Sequence, residues 1–122
     1  MTLRLLIVDD VAEIRRAVRD ALAGTDIEVV GEAVDGLEGV ELADRLHPDV
    51  VLLDMRMPVM TGEEAIPLIR DASPATRIVA YTAQEPGCDW EPVIEVEGRL
   101  AKGASVEELT GAIRRAAAAH RP

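Results

Sequence analysis

Apolar and polar positions along the chain fall into alternating short runs and helical stripes. Leu3-Arg4-Leu5-Leu6-Ile7-Val8 is an apolar run closed by Asp9-Asp10, the pattern of a buried strand. Ile14, Ala17, Val18, Ala21 and Leu22 then recur at i, i+3, i+4, i+7 and i+8, one face of a helix that Gly24 ends. Ile27–Ala33 is a second strand candidate, interrupted at Gly31. Asp35-Gly36 turns the chain into a second helix with Leu37, Val40 and Leu46 inward. His47-Pro48 ends that helix, because the residue before proline is pushed away from helical angles. Asp49–Asp54 is apolar on both faces of its core, which suits the centre of a parallel sheet. After the loop Met55–Thr61 the pattern predicts a third helix from about Gly62 to Ala72 and a fourth strand over Arg77–Thr82. Ala83–Gly98 is the least regular stretch; it contains Pro86, Gly87 and Pro92, and its second half is expected to hold a short or distorted helix. Arg99–Ala101 is a short fifth strand. Ser105 with Glu108 forms a capping box, opening a last helix with Val106, Leu109, Ala112, Ile113 and Ala116 inward.

Five strands separated by helices predict βαβ units and an α/β, doubly wound parallel sheet with helices on both faces. Ligands of such sheets bind beyond the carboxyl ends of the strands. The residues at those ends are Asp9-Asp10, Asp54, Thr82 and Lys102.

Composition narrows the field. The 122 residues predict a single domain, 1–122, and 48% hydrophobic content excludes a disordered chain. No apolar run approaches the roughly 20 residues of a membrane span, and the N-terminus makes a poor signal peptide, so a cytoplasmic location is expected. A net charge of −10 argues against direct binding to nucleic acid or an anionic membrane. Aromatic residues are 2% of the chain, Tyr81 and Trp90, which gives little support to a nucleobase or flavin site. Cys88 is the only cysteine: it excludes an internal disulfide and a multi-cysteine zinc site, and it reads as an incidental loop thiol. The only lysine is Lys102, at the end of the fifth strand.

Carboxylates gathered at one edge repel, which raises their pKa values unless a cation neutralises them. Mg²⁺ is the natural candidate, because it takes oxygen ligands and keeps several waters. A softer metal is disfavoured, since His47 and His120 lie far from these strand ends in sequence. Mg²⁺ with a nearby ammonium and hydroxyl makes a phosphoryl site, in which an aspartate can act as the nucleophile. Simpler roles compete at single positions. Asp10 with Glu13 three residues on is an ordinary N-cap pattern that can coexist with metal binding. Met55, Met57 and Met60 read as loop packing.

The set Ile7-Val8-Asp9-Asp10, Asp54-Met55-Arg56-Met57-Pro58 with Gly62, Tyr81-Thr82-Ala83 and Lys102 resembles the bacterial response-regulator receiver domain, over essentially the whole chain. The resemblance implies the strand order 2-1-3-4-5. It implies that Asp54 accepts a phosphoryl group from the phosphohistidine of a sensor histidine kinase or phosphotransfer protein. It also implies that Asp10 ligates Mg²⁺ directly, that Asp9 does so directly or through water, and that Asp54 and the backbone carbonyl of Arg56 complete the protein's share. Lys102 would pair with the phosphoryl group, and Thr82 would move to hydrogen-bond one of its oxygens. The protein would then be a phosphorylation switch rather than an enzyme with a diffusible substrate.

Departures cluster in one region. The interval from Thr82 to Lys102 is slightly shorter than the family's, the family's usual aromatic three residues before the lysine is Arg99, and its usual proline after the lysine is Gly103. The acids Glu85, Asp89, Glu91, Glu95 and Glu97 predict an unusual output face within Thr82–Leu100, suited to a basic partner or an output domain. The tail lies where many family members continue into a DNA-binding domain, and self-association as a homodimer through the last helix stays open. The alternatives are a degenerate receiver working by contact alone and a haloacid-dehalogenase-type phosphatase. The latter needs an aspartate where Arg56 stands. A flavodoxin-like carrier is disfavoured because Asp9-Asp10 would repel a phosphate.

Overall fold

The computed structural model describes residues 2–83 and 96–119. Its elements in chain order are β1 (Leu3–Val8), α1 (Ala12–Leu22), β2 (Ile27–Ala33), α2 (Gly36–Leu46), β3 (Val50–Asp54), α3 (Gly62–Ala72), β4 (Arg77–Thr82), β5 (Gly98–Ala101) and α4 (Val106–Ala118). All strand pairs are parallel, in the order β2-β1-β3-β4-β5, as the resemblance implied. The interruption at Gly31 is a register shift, where β1 passes from pairing with Val29 to pairing with Gly31.

The two-residue period of the strands sorts the core into two layers. Leu5, Ile7, Leu52, Val79, Tyr81 and Leu100 face one side and pack with Val18 and Leu22 of α1 and Leu109, Ile113 and Ala116 of α4. Leu6, Val8, Val51, Leu53, Ile78 and Ala80 face the other and pack with Ala43 of α2 and Ala65, Ile66 and Ile69 of α3. Every residue of β3 is buried, as its unbroken apolar run predicts for the central strand. The same alternation assigns Asp9, Asp54 and Lys102, two residues past Ile7, Leu52 and Leu100, to the first face at the carboxyl edge.

Several inward assignments are corrected. Ala17 of α1 is exposed, and so are Leu37 and Val106, at 48% and 44%. In α2 the buried face is instead Gly36, Gly39 and Ala43. A Cβ on Gly39 would stand 3.0 Å from Val8, so the helix lies close to β1 through small residues rather than through Leu37. In α4, Thr110 takes an inward position beside Leu109 and Ala112. The Ser105–Glu108 capping box is present, and a second one, Thr61 with Glu64, opens α3. Pro67 sits inside α3 on an exposed position. The proposed helix between β4 and β5, with Pro86, Pro92, Cys88, Trp90 and the acids Glu85, Asp89, Glu91 and Glu95, lies outside the described residues, as does His120. Glu97 does not face outward: its carboxylate is nearly buried and pairs with Arg70 of α3 at 3.0 and 3.1 Å.

Candidate functional site

Two strand ends place the three acids. β1 delivers Asp9, which is 1% exposed, and Asp10, which is exposed; β3 delivers Asp54, at 3%. One carboxylate oxygen from each lies within 4.8 Å of the other two. Lys102, following β5, reaches across with its ammonium 2.9 Å from Asp9 Oδ2 and 3.1 Å from Asp54 Oδ2. The Lys102 N–H donates to the Thr82 carbonyl at 2.7 Å, which fixes the lysine's backbone to the end of β4.

Each buried acid is held by its own turn. Asp54 Oδ1 accepts the Arg56 N–H at 3.0 Å, and Asp9 Oδ1 accepts the Val11 N–H at 2.9 Å. Gly62 closes the loop after β3, donating its N–H to the Met55 carbonyl at 3.3 Å. A Cβ there would come within 2.7 Å of the Asp54 carbonyl, so only glycine fits. Within this loop Val59 has φ 70° and is 78% exposed, and the Met60 N–H bonds the Pro58 carbonyl. This is a tight turn of the kind that strains a β-branched residue.

The electrostatics follow from burial. The Asp54 carboxyl titrates above its ordinary value, because burial penalises the anion and Asp9 repels it; the Arg56 N–H and Lys102 oppose the shift without cancelling it. Burial alone would lower the Lys102 pKa, but the hydrogen bonds and charges of Asp9 and Asp54 together raise it, keeping the ammonium charged. Tyr81 lies beside the cluster with its ring centroid 5.8 Å from the Lys102 ammonium.

Oxygen donors in this arrangement fit a small hard divalent cation. Three carboxylates meet at this edge, and the Lys102 ammonium is shared between two of them. Asp9 Oδ2 is buried, and its close contact is the Lys102 ammonium at 2.9 Å, which it shares with Asp54. A buried carboxylate oxygen with half a share of one ammonium is a place where an oxygen-seeking ion repays its desolvation.

The sequence-derived residues separate into two groups. Asp9, Asp10, Asp54 and Lys102 converge. Thr82 stands at the end of β4 next to them, but among the described residues its hydroxyl touches neither the Asp54 carboxylate nor the Lys102 ammonium. The strand alternation explains this: Thr82 follows Tyr81 and belongs to the opposite face. The Asp10 N-cap is corrected. Val11 is the N-cap of α1, with no side-chain cap, and it is Asp9 that accepts the hydrogen bond of this turn. Arg99 is exposed on β5, and among the described residues Tyr81 is the aromatic the fold brings to the lysine. Arg15 was not singled out from sequence. It donates from Nη1 to the Asp9 carbonyl at 2.7 Å, a contact to backbone that carries no side-chain signature.

Comparison with known proteins agrees with this geometry. The family model for the response regulator receiver domain matches residues 5–114. The nitrate/nitrite response regulator protein NarL of Escherichia coli is 37% identical over 117 residues, 93% of this chain and 54% of that protein. A protein-glutamate methylesterase/protein-glutamine glutaminase of Methanosarcina acetivorans is 48% identical over 86 residues, 70% of this chain and 25% of that protein. The chain therefore spans about half or less of these relatives. Among solved structures, the receiver domain of a sensor histidine kinase of Pseudomonas aeruginosa, described with a magnesium ion coordinated in its active-site cleft, has a TM-score of 0.85 at 26% identity, covering 98% of this chain and all of that one. With its acidic cluster, strand order and family match pointing the same way, the chain belongs to the response-regulator receiver-domain family.

Proposed function

We propose that residues 1–122 act as one receiver domain in which Asp54 is phosphorylated by a histidine kinase or phosphotransfer protein, with Mg²⁺ held by Asp9, Asp10, Asp54 and the Arg56 carbonyl. The observation that carries this is the contact set of Asp54: a buried carboxylate beside two further acids and in ion-pair contact with the chain's only lysine. A bound Mg²⁺ supplies positive charge to the phosphoryl oxygens in transfer. The carboxylate of Asp54 attacks phosphorus, an O–P bond forms, the N–P bond of the phosphohistidine breaks, and the imidazole leaves with the bonding pair. The Arg56 N–H keeps the Asp54 carboxylate oriented for attack.

Lys102 must change partner during this step. Its ammonium rests on Asp54 Oδ2, the group that gains the phosphoryl, and it passes to a phosphoryl oxygen as the carboxylate loses its charge. Thr82, whose side chain is not engaged with Asp54 or Lys102, is free to turn toward the new anion. Because the Thr82 carbonyl is bonded to the Lys102 N–H, movement at either residue reaches both loops. The segment Thr82–Leu100 is the proposed output face, toward a partner or an output domain. Arg99, exposed in place of the family's aromatic, gives that face a cation. Cytoplasmic location belongs to the same proposal; among the described residues no helix is long and apolar enough to cross a membrane.

The test is incubation with Mg²⁺ and phosphoramidate, followed by intact mass, with Asp54→Ala alongside. The expected result is a gain of one phosphoryl group that is absent in the variant and absent when Mg²⁺ is chelated. A folded wild-type protein that gains nothing, from phosphoramidate or from a histidine kinase, would identify a receiver that works by contact alone.

A further inference from the structure

Asp9 is fixed at more points than its carboxylate alone requires. Its N–H donates to the Ala33 carbonyl at 3.1 Å, its Oδ1 accepts the Val11 N–H, and its carbonyl accepts Arg15 Nη1 at 2.7 Å. Among the described residues, Arg15 is the side chain that holds the Asp9 backbone, as Lys102 holds its carboxylate. It lies in α1, and its own Nε is anchored 3.1 Å from Glu32 Oε1 on the edge strand β2. Glu32 also holds Arg19 through its other oxygen, so its carboxylate is shared between two guanidinium groups. Those hydrogen bonds and charges, Arg19's first, keep Glu32 below its ordinary pKa, so it remains an anion. Arg15 is the enclosed member of the pair, at 15% exposure against 50% for Arg19.

The need for such a restraint is visible in the turn. α1 starts at a valine N-cap with no side-chain hydrogen bond, so residues 9–11 are tied to the helix by the Val11 N–H on Asp9 Oδ1 and by Arg15 rather than by a cap. A planar guanidinium can grip two acceptors at once and hold a fixed angle between them. Here the two acceptors are the β2 carboxylate and the Asp9 carbonyl, so the direction in which Asp9 Oδ2 points is tied to the edge of the sheet.

We propose that Arg15, seated on Glu32, is a positioning residue for the divalent-cation site: it clamps the Asp9 carbonyl and thereby aims the buried Asp9 Oδ2 into the acidic cluster. This rests on the proposal that Asp9 and Asp10 hold the cation. Outer contacts of this kind set the geometry of the ligands they touch, and their loss costs metal affinity rather than metal binding as such.

The experiment is titration of the full chain with Mg²⁺ alone by calorimetry, for wild type, Arg15→Met, Arg15→Lys and Glu32→Gln, with the metal-free melting temperature of each. Methionine keeps most of the apolar stem and removes both donors. Arg15→Met is expected to weaken Mg²⁺ binding about tenfold. Arg15→Lys is expected to recover only part of this, because one ammonium cannot span both acceptors. Glu32→Gln, which keeps an acceptor for Nε, is expected to fall between wild type and Arg15→Met. A lowered melting temperature with Mg²⁺ affinity unchanged in Arg15→Met would show a purely structural contact and overturn the proposal. Should Arg15→Met fail to fold, unchanged affinity in both Arg15→Lys and Glu32→Gln would overturn it equally. A folded wild type that takes up no Mg²⁺ would fail at the cation site itself, and the role of Arg15 with it; a wild type that binds, with variants that bind as tightly, would fail at Arg15 only.

Discussion

Asp54 shows how a single residue can be placed at the expense of the fold that carries it. Its carboxyl is buried at the end of the central strand and titrates above its ordinary range, so the charged form is disfavoured by folding. The sign follows directly. Above the raised pKa the native state carries an anion it would rather not, whereas below about 3.9, the unfolded value, the group is neutral in both states. In a chelator-containing buffer, Asp54→Asn is therefore expected to raise the melting temperature near neutral pH. That gain should shrink as pH falls through the Asp54 pKa and vanish below the unfolded value. A gain independent of pH would assign the effect to packing instead. The sequence made this residue conspicuous because an aspartate closing an all-apolar strand has few structural uses. It could not show that Tyr81, on the neighbouring strand, lies against Lys102, since that contact depends on which strands are adjacent.

At the scale of elements, the site depends on how closely helices seat at the strand ends. α3 begins at Gly62, directly against the Asp54–Met55 backbone. A Cβ at Gly62 would meet the Asp54 carbonyl at 2.7 Å and the Met55 Cα at 2.8 Å, and backbone atoms cannot step aside as a side chain can. Gly62→Ala is expected to cost about 1–3 kcal/mol in denaturant unfolding and to slow phosphorylation, because the displaced loop carries Arg56. Strands were legible here, β1 and β4 to the residue, and so was the start of α4 from Ser105-x-x-Glu108; the caps of α1 and α3 were not. The inward face of α2 was not. Leu37 satisfies a helical stripe, but the helix packs through Gly36, Gly39 and Ala43, and hydrophobic periodicity gives glycine no weight. Glu97 was grouped with an acidic face, yet its partner Arg70 lies on α3, far away in sequence.

For the whole molecule, cation binding and folding should be coupled. The acidic cluster is assembled only when β1 and β3 pair side by side, so an ion bound there stabilises the native state alone. Mg²⁺ is expected to raise stability by about 2.7 kcal/mol at a hundredfold excess over its Kd, reversibly with chelator. Asp9→Asn with Asp10→Asn should abolish the increment while leaving the chain folded. Thermal melts over a Mg²⁺ series, repeated at matched ionic strength with NaCl, separate site binding from screening of the net charge of −10. A rise that NaCl reproduces in full would mean screening only.

The sequence by itself determined the alternation of strands and helices, the carboxyl edge as the place of the site, and the acids and lysine that occupy it. These are local properties: a strand's apolar run, a cap, and a charged residue where a strand stops are written in consecutive residues. The tertiary structure decided what depends on contacts between distant segments. It set the pairing of Lys102 with both Asp9 and Asp54, the shifted pKa values, the burial of Asp9 Oδ2, and the Arg15–Glu32 clamp behind it. A hydrogen bond to a backbone carbonyl is the extreme case, because any residue offers that acceptor and only the fold chooses which one is met.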